Sequence, residues 1–293
     1  MHCTNGSFSM AVIIDGKKIA QGIRNEVKAA VVRLKEENGI TPGLAVVLVG
    51  DNPASKIYLK YKENARKEAG FLSQEFKLPQ DTIEDELLTI IHRLNCDKSI
   101  HGILVQLPRP GQINTATIIE AIDPQKDIDG FHPFNLGRLF TGDAYHMACT
   151  PKGILKLLDY YSITIEGKEA AIVGRSNIVG KPLALMLLNR HATVTVCHTK
   201  TRSLPDVTKR AEILIVAAGR PEMIKADMVR EGAVIIDVGV NRLENGRLVG
   251  DVAFSGVLEK ASYITPVPGG VGPMTIAMLL VNTLNAARQL SSK

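Results

Sequence analysis

The sequence predicts an α/β fold made of two α/β domains, the second a Rossmann-type parallel sheet. Three observations carry that expectation. The apolar runs of the second half, EAAIV (169–173), ATVTVC (192–197), ILIVAAG (213–219), AVIIDVGV (233–240) and SYITPV (262–267), are continuous rather than alternating, the pattern of parallel strands buried on both faces. The segments between them, such as PLALMLLNR and KADMVREG, are short and helix-compatible, so right-handed crossovers would wind them into one sheet. Finally, Gly174 ends the first of these runs, a polar turn follows, and Gly180-Lys181-Pro182 opens a helix. A strand, tight turn and helix in that order aim backbone N–H groups and a helix N-terminus at a phosphate. The three-glycine dinucleotide fingerprint itself is not met, since only Gly174 and Gly180 are present.

The first half repeats the alternation. AVII (11–14) is a candidate strand. GKKIAQGIRNEVKAAVVRLKEEN has apolar residues at helical spacing and stops at Gly39, a suitable C-cap. LAVVLVG (44–50) is a buried strand. A helix over DNPASKIYLKYKENARKEAG follows, opened by Asp51 or Asn52 with Pro53 in its first turn. EFKLP is a weak strand, TIEDELLTIIHRLN an amphipathic helix and GILVQLP (102–108) a third strand. Thr150-Pro151 reads as the N-cap and first position of a connecting helix, PKGILKLLDYY. Pro273 is suited to begin the last helix, MTIAMLLVNTLNAARQL.

Composition narrows the function classes. With 293 residues, 45% of them apolar, two domains are expected. No apolar run reaches the roughly 18 residues that span a bilayer, and MHCTNGSFSM lacks a basic segment followed by an apolar one. A soluble, cytoplasmic protein without a membrane partner is expected, with residues 1–9 a disordered extension. Cys3, Cys96, Cys149 and Cys197 show no metal-like spacing, so reduced thiols and no metal are expected. The net charge of +5 is spread along the chain without basic runs or interleaved aromatics. That argues against nucleic acid and suits an anionic small molecule.

Four segments carry candidate chemistry. Tyr58 and Lys62 are four apart on a predicted helix and share a face; a solvated face of a Lys-rich segment is the competing reading. Gln106 lies near the carboxyl edge of the third strand, where α/β ligands bind, or is an amide satisfied by a loop. In KDIDGFHPFN (126–135), Asp127 and Asp129 alternate with Ile128, so one carboxylate would point inward while the other caps a turn. In YITPVPGGVGPMT (263–275), the glycines would let backbone approach a ligand closely. As for the nucleotide, His198-Thr199-Lys200-Thr201-Arg202 follows the second strand of the Rossmann-type unit with no carboxylate to take a ribose 2′-OH, and Arg175 stands in the phosphate turn. Cations and hydroxyls suit a 2′-phosphate, hence NADP rather than NAD; a solvated basic loop is the alternative.

These segments, in this order, resemble the bifunctional methylenetetrahydrofolate dehydrogenase/cyclohydrolase family. The resemblance runs from about Val12 to Leu290 and rests on GDNPASKIYLKYK, GILVQLPRP, KDIDGFHPFNLGRL, TPKGI, VGRSNIVGKP, IIDVGVNR and YITPVPGGVGPMT. It implies a folate-binding catalytic domain over 10–149 plus 273–293, an NADP-binding Rossmann-type domain over 150–272, and a cleft between them. It also implies a cytoplasmic homodimer in one-carbon metabolism, serving purine biosynthesis. By the same resemblance Lys62 matches the catalytic lysine, Tyr58 the residue stacked on the folate ring, Gln106 the partner of Lys62 and Asp129 the carboxylate on the pterin. Val105 and Leu107 flank Gln106 in the folate site, and 268–276, with Pro268, Gly269, Gly270 and Thr275, matches the folate loop. Gly174, Arg175, Ser176, Thr199 and Val240 match the cofactor contacts.

The chemistry suits those roles. A carboxylate can accept two adjacent pterin N–H groups, and in a chain without Trp a Tyr serves a flat ring well. Hydride transfer needs mainly alignment. Hydrolysis needs an amine brought toward neutrality by burial beside a cationic substrate, helped by a hydrogen bond donated from Gln106. Arg109 departs from the family, which more often has an apolar residue there. Two rival readings are weaker. Tyr58-x-x-x-Lys62 mimics the pair of short-chain dehydrogenases but precedes the nucleotide turn instead of following it. A non-catalytic NADP-binding regulator has no use for Lys62 or GGVGPMT. The basic turn generates a test: KM for NADP should lie well below KM for NAD, and a preference for NAD would refute the 2′-phosphate assignment.

Overall fold

A computed structural model describes residues 11–50, 62–106 and 111–291. The chain divides into two compact units. One takes the residues up to Lys17 together with Ile154–Pro273, and the other takes Lys18–Gly153 with Met274 onward. Three helices carry the chain from one unit to the other: α1 (Gly16–Asn38), α6 (Cys149–Tyr160) and α10 (Val271–Leu290). Among the described residues, no helix is long and apolar enough to cross a membrane. The expected extension over 1–9 lies outside the described residues.

The chain opens on β1 (Val12–Ile13), which runs parallel to β11 (Tyr263–Ile264). This corrects the expectation that residues from 10 onward belong with the first α/β domain. The side chains of Val12 and Ile13 are exposed, so the strand's backbone rather than its apolar surface decides where it pairs. Ile14 N–H donates to Ile264 O at 2.8 Å. The Tyr161 hydroxyl completes the edge, donating to Ile13 O and accepting from Asp15 N–H.

The unit built from Lys18–Gly153 holds a parallel sheet of order β3-β2-β4, with β2 (Gly43–Val49) between β3 (Leu72–Leu78) and β4 (Gly102–Val105). β2 and β4 are buried at every residue, as their unbroken apolar runs require. β3 is an edge strand with solvent on one side, which is why LSQEFKL carries so little apolar signal. Residues 62–69 form helix α2. Helix α3 (Glu84–Cys96) turns Leu87, Ile91 and Leu94 inward at helical spacing, with Glu84, Asp85 and Glu86 at the positive end of its dipole. These side chains meet Ala45, Val47, Val49, Ile103, Val105 and Ile118 in one core. Two short helices escape a periodicity argument. Asn114 caps α4 (Thr115–Ala121), and His132 caps α5 (Pro133–Phe140). Helix α6 begins at Cys149 and α10 at Val271, each earlier than its proline suggests. Pro151 and Pro273 therefore sit inside a first turn, where the missing N–H would be unpaired anyway.

The second unit has a six-stranded sheet of order β1-β11-β8-β7-β5-β6, all parallel. Its central strands are β5 (Glu169–Val173), β7 (Ile213–Val216) and β8 (Val234–Asp237), and its edge is β6 (Thr193–Cys197). β6 departs from the two-faced burial expected of ATVTVC: Thr193 and Thr195 are exposed, because an edge strand lacks cover on one side. The helices are α7 (Gly180–Leu188), α8 (Leu204–Thr208) and α9 (Phe254–Leu258). KADMVREG supplies only a 3-10 turn at Ala226–Met228, and a ribbon of β9 (Asn241–Arg242) and β10 (Leu248–Val249), not anticipated, follows β8.

Two buried carboxylates tie the loops at the carboxyl ends of these strands. Asp251 is fully buried and accepts from Ala218, Gly219 and Arg220 N–H and from Asn241 Nδ2, at 2.6–2.9 Å. Asp237 accepts from Gly239, Asp251 and Val252 N–H at 2.9–3.0 Å. Burial pushes the Asp237 carboxyl up from 3.8 to about 6, the three N–H donors pulling against it and the Asp251 charge adding to it. Between those two values the folded chain holds a proton that the unfolded chain has lost, so stability falls as pH rises through that window. Urea unfolding should show wild type losing roughly 2 kcal/mol more than Asp237→Asn between pH 4 and 6.5, at about 1.4 kcal/mol per pH unit of separation. Parallel pH dependences would refute it.

Candidate active site

In the three-stranded unit, three of the expected residues converge. Lys62, at the start of the described part of α2, is 5% exposed, and its Nζ donates to Gln106 Oε1 at 3.1 Å. Gln106 is the residue after β4, and its N–H donates to Val47 O, so the carboxyl edge of the sheet fixes its backbone. Asp129 is close enough for its charge to act on the Lys62 amine. Burial lowers the Lys62 pKa; Asp129 and Cys149 act to raise it, and the Arg66 cation lowers it further. The direction is the one hydrolysis needs. The Gln106 contact differs from expectation, however. The amine donates and the carbonyl accepts, an interaction that favours the ammonium form, so burial rather than the amide brings Lys62 toward neutrality.

Asp127 and Asp129 divide the labour as their alternation implied. Asp127 is buried and accepts from His132 N–H at 2.8 Å and Asn135 Nδ2 at 2.9 Å, locking the turn into α5. Asp129 is half-buried and faces the Lys62 side. Gly130 follows with φ of 73°, and a Cβ there would lie 2.6 Å from Ala148 N, so the chain passes too close to its neighbour for any other residue.

Two residues at this site were not anticipated. Arg66, one helical turn beyond Lys62, is 2% exposed, and its Nε and Nη1 have no hydrogen-bond partner among the described residues. The i,i+4 spacing from Lys62 was the signal for it. Cys149 is also buried; burial raises its thiol well above the ordinary value, so it stays an S–H that donates to Ile128 O at 3.2 Å. Nothing in the isolated TPKGI segment indicated that placement. Val105 turns its side chain into the core, leaving only its backbone for a ligand. Thr275 shares a hydrogen bond with Thr150, Oγ1 to Oγ1 at 2.9 Å. Tyr58, Leu107 and Arg109 lie outside the described residues.

In the six-stranded unit, the turn after β5 packs closely against its neighbours. Gly174 has φ of 134°, and a Cβ on it would collide with Ala217 O; one on Gly180 would collide with Gly174 O. The two glycines thus let strand, turn and helix close on one another, which explains why two suffice. The Ser176 hydroxyl accepts from Val179 and Gly180 N–H at 3.2 and 3.4 Å, capping α7. Arg175 and Thr199 are exposed at this edge, as is Val240 beyond β8. The turn after β6 is built from within. His198 N–H donates to Thr201 Oγ1, and Lys200 N–H donates to His198 Nδ1. Among the described residues, no carboxylate pairs with Arg175, Lys200 or Arg202, so their charges face solvent and any anion that arrives. Pro268–Gly270 belongs to this unit, where Gly269 O accepts from Lys17 N–H and Gly270 N–H donates to Pro266 O.

A cavity of about 520 Å³ opens at the carboxyl end of β8, lined by Asp237, Arg247, Gly250, Pro266 and Val267 among others. A smaller hollow of about 120 Å³ lies over Glu169–Ala171 and Thr193, at the amino end of the strands and away from every residue considered above.

Comparison with known proteins gives two family matches. Residues 14–129 match the catalytic domain of tetrahydrofolate dehydrogenase/cyclohydrolase, and residues 148–291 match its NAD(P)-binding domain. The Bifunctional protein FolD of Pelobacter propionicus is 58% identical over 280 residues, 96% of this chain and 99% of that protein. The crystal structure of the bifunctional enzyme FolD from Campylobacter jejuni superposes with a TM-score of 0.94 at 52% identity, covering 95% of this chain and 99% of that one. The Trypanosoma brucei methylenetetrahydrofolate dehydrogenase-cyclohydrolase, solved with NADP cofactor and inhibitor, gives 0.92 at 36% identity, covering 96% and 98%.

Proposed function

The chain belongs to the tetrahydrofolate dehydrogenase/cyclohydrolase family, and from that premise we propose that Lys62 is the base of its hydrolytic step and Asp129 the group that holds the folate. It is a bifunctional enzyme of one-carbon metabolism. It oxidises 5,10-methylenetetrahydrofolate to the 5,10-methenyl cation and hydrolyses that cation to 10-formyltetrahydrofolate. The observation that supports the assignment is the buried Lys62 amine, 3.1 Å from Gln106 Oε1 and under the influence of the Asp129 charge.

Folate chemistry is assigned to the unit of Lys18–Gly153 with Met274 onward. Asp129 accepts the pterin N–H groups, Tyr58 stacks on the ring, and Val105, Gln106, Leu107 and Thr275 complete the folate contacts within that unit. NADP is the cofactor, and when bound it supplies the hydride acceptor. The residues present fit it: Gly174, Arg175 and Ser176 at the turn after β5, Thr199 beside the exposed cations after β6, and Val240 beyond β8. The folate nitrogen lone pairs stabilise the cation left as hydride departs, so oxidation asks the protein chiefly for alignment. In hydrolysis, water adds to the methenyl carbon and the neutral Lys62 amine takes its proton. The lysine then returns that proton to N5 as the carbon–N5 bond breaks and the hydroxyl proton of the adduct passes to solvent, leaving the formyl group on N10. Gln106 Oε1 accepts from the same amine throughout and keeps it aimed. A cytoplasmic homodimer whose formyl product serves purine biosynthesis completes the proposal.

Two variants separate these roles. Lys62→Met should lower hydrolysis about 100-fold or more, the scale of a lost general base, while part of the NADP-linked oxidation survives, read by methenyl absorbance against NADPH. Hydrolysis at the wild-type rate would remove Lys62 from the mechanism. Asp129→Asn should raise the folate KM by roughly 10- to 100-fold, as expected for a lost hydrogen bond to a charged group, with KM for NADP little changed. An unaltered folate KM would place the pterin elsewhere.

A further inference from the structure

We infer that Asn282, on α10, is the positioning residue for Asp129: its carboxamide ties the backbone beside that carboxylate to residues 147–152 and so sets where Asp129 stands relative to Lys62. The inference rests on the folate site proposed above. Asn282 is 1% exposed, and every hydrogen-bonding group it has is used. Nδ2 donates to Ile128 O at 2.8 Å and to Met147 O at 3.0 Å, and lies 3.5 Å from Cys149 Sγ. Oδ1 accepts from Lys152 Nζ at 2.7 Å. An ammonium only donates, so Lys152 determines which end of the amide is oxygen and turns both N–H bonds toward the carbonyls.

Those carbonyls matter because of what adjoins them. Ile128 precedes Asp129 directly, and its oxygen also accepts the Cys149 S–H. On the other side, Gly130 packs against the backbone of 147–148. Upstream, Ile103 N–H in β4 donates to Lys126 O at 2.8 Å. The segment 126–130 is thus gripped by the sheet, by α5 through Asp127, by 147–149 and by α10, and the α10 grip depends on a single polar side chain. Were Asn282 only a filler of the core, an apolar residue of its volume would do; instead, removing this buried donor strands the two carbonyls it serves.

Asn282→Leu, Lys152→Met and Asp129→Asn should be compared with wild type for the KM of each substrate and for the pH profile of hydrolysis. For Asn282→Leu, the folate KM should rise about tenfold, the loss expected for one buried hydrogen bond, with KM for NADP unchanged. Asp129, Cys149 and Arg66 are the groups acting on Lys62. With Asp129 displaced, the amine loses the largest of the charges that raise its pKa, and the limb on which hydrolysis rises with pH should move to lower pH. Lys152→Met should shift both readouts the same way by less. Wild-type folate KM and pH limb in folded Asn282→Leu would overturn the inference, as would an equal rise in both KM values, which marks general loosening. If Asn282→Leu does not fold, Lys152→Met decides by the same criteria. If Asp129→Asn itself keeps the wild-type folate KM, the folate site is misassigned and the positioning role falls with it. An impaired Asp129→Asn beside a normal Asn282→Leu removes the positioning role alone.

Discussion

An amine removed from water governs the catalytic unit. Burying an ammonium costs several kcal/mol unless charges or hydrogen bonds offset it, and Lys62 is nearly inaccessible. Among the groups acting on it are one carbonyl from Gln106, the Asp129 carboxylate, and a second buried cation, Arg66, one turn along the same helix. A site designed only to keep lysine charged would exclude Arg66. This one is balanced, with Asp129 acting to keep the proton and burial acting to release it. The role proposed for Lys62, taking a proton from water and giving it back, suits that balance, because a base too strong holds its proton and one too weak never acquires it.

The rest of the unit can be read as support for that balance. β2 and β4 are buried along their whole length and present Gln106 from a rigid edge. Asp127 is spent on the turn into α5, which leaves Asp129 as the carboxylate with a part to play at Lys62. The cofactor unit solves the opposite problem. There the buried groups are anions, Asp237 and Asp251, stabilised by backbone N–H donors rather than by cations. Its cations, Arg175, Lys200 and Arg202, are left outside for a phosphate. Positive charge at the mouth and negative charge in the frame keep the loops rigid without neutralising the surface that an anionic cofactor meets.

What the sequence made legible follows from how each feature is encoded. The central strands were visible because burial on both faces writes an unbroken apolar run. β3 was faint and β6 was misjudged for the same reason, since an edge strand needs apolar residues on one side only. The pairing of β1 with β11 could not be read, because a two-residue strand is held by backbone bonds and by the Tyr161 hydroxyl, which leave no periodicity. Helices α4 and α5 were invisible for a related reason: each is shorter than the window a 3.6-residue repeat needs. Lys62, Gln106 and Asp129 were proposed from spacing and resemblance. The direction of the Lys62–Gln106 bond, Arg66 against Lys62 and the Cys149 thiol on Ile128 are products of packing.

Local reading also fails at Asn282 in a way that shows where information about a site resides. Within MTIAMLLVNTLNAARQL, an asparagine among apolar residues looks like a lapse in an otherwise buried helix, because Asn is a poor helix former and a costly group to bury. Its meaning appears only when α10 is set beside segments more than a hundred residues away, where two backbone carbonyls and a lysine await the amide. A buried polar residue whose every valence is met adds little to stability compared with an apolar neighbour, but it admits one geometry and rejects the rest. The catalysis proposed for a neutral Lys62 would be sensitive to that geometry, since the position of a single carboxylate alters the amine's proton affinity. The helix therefore carries a polar residue where its pattern calls for an apolar one, and what the site gains in return is a defined place for Asp129.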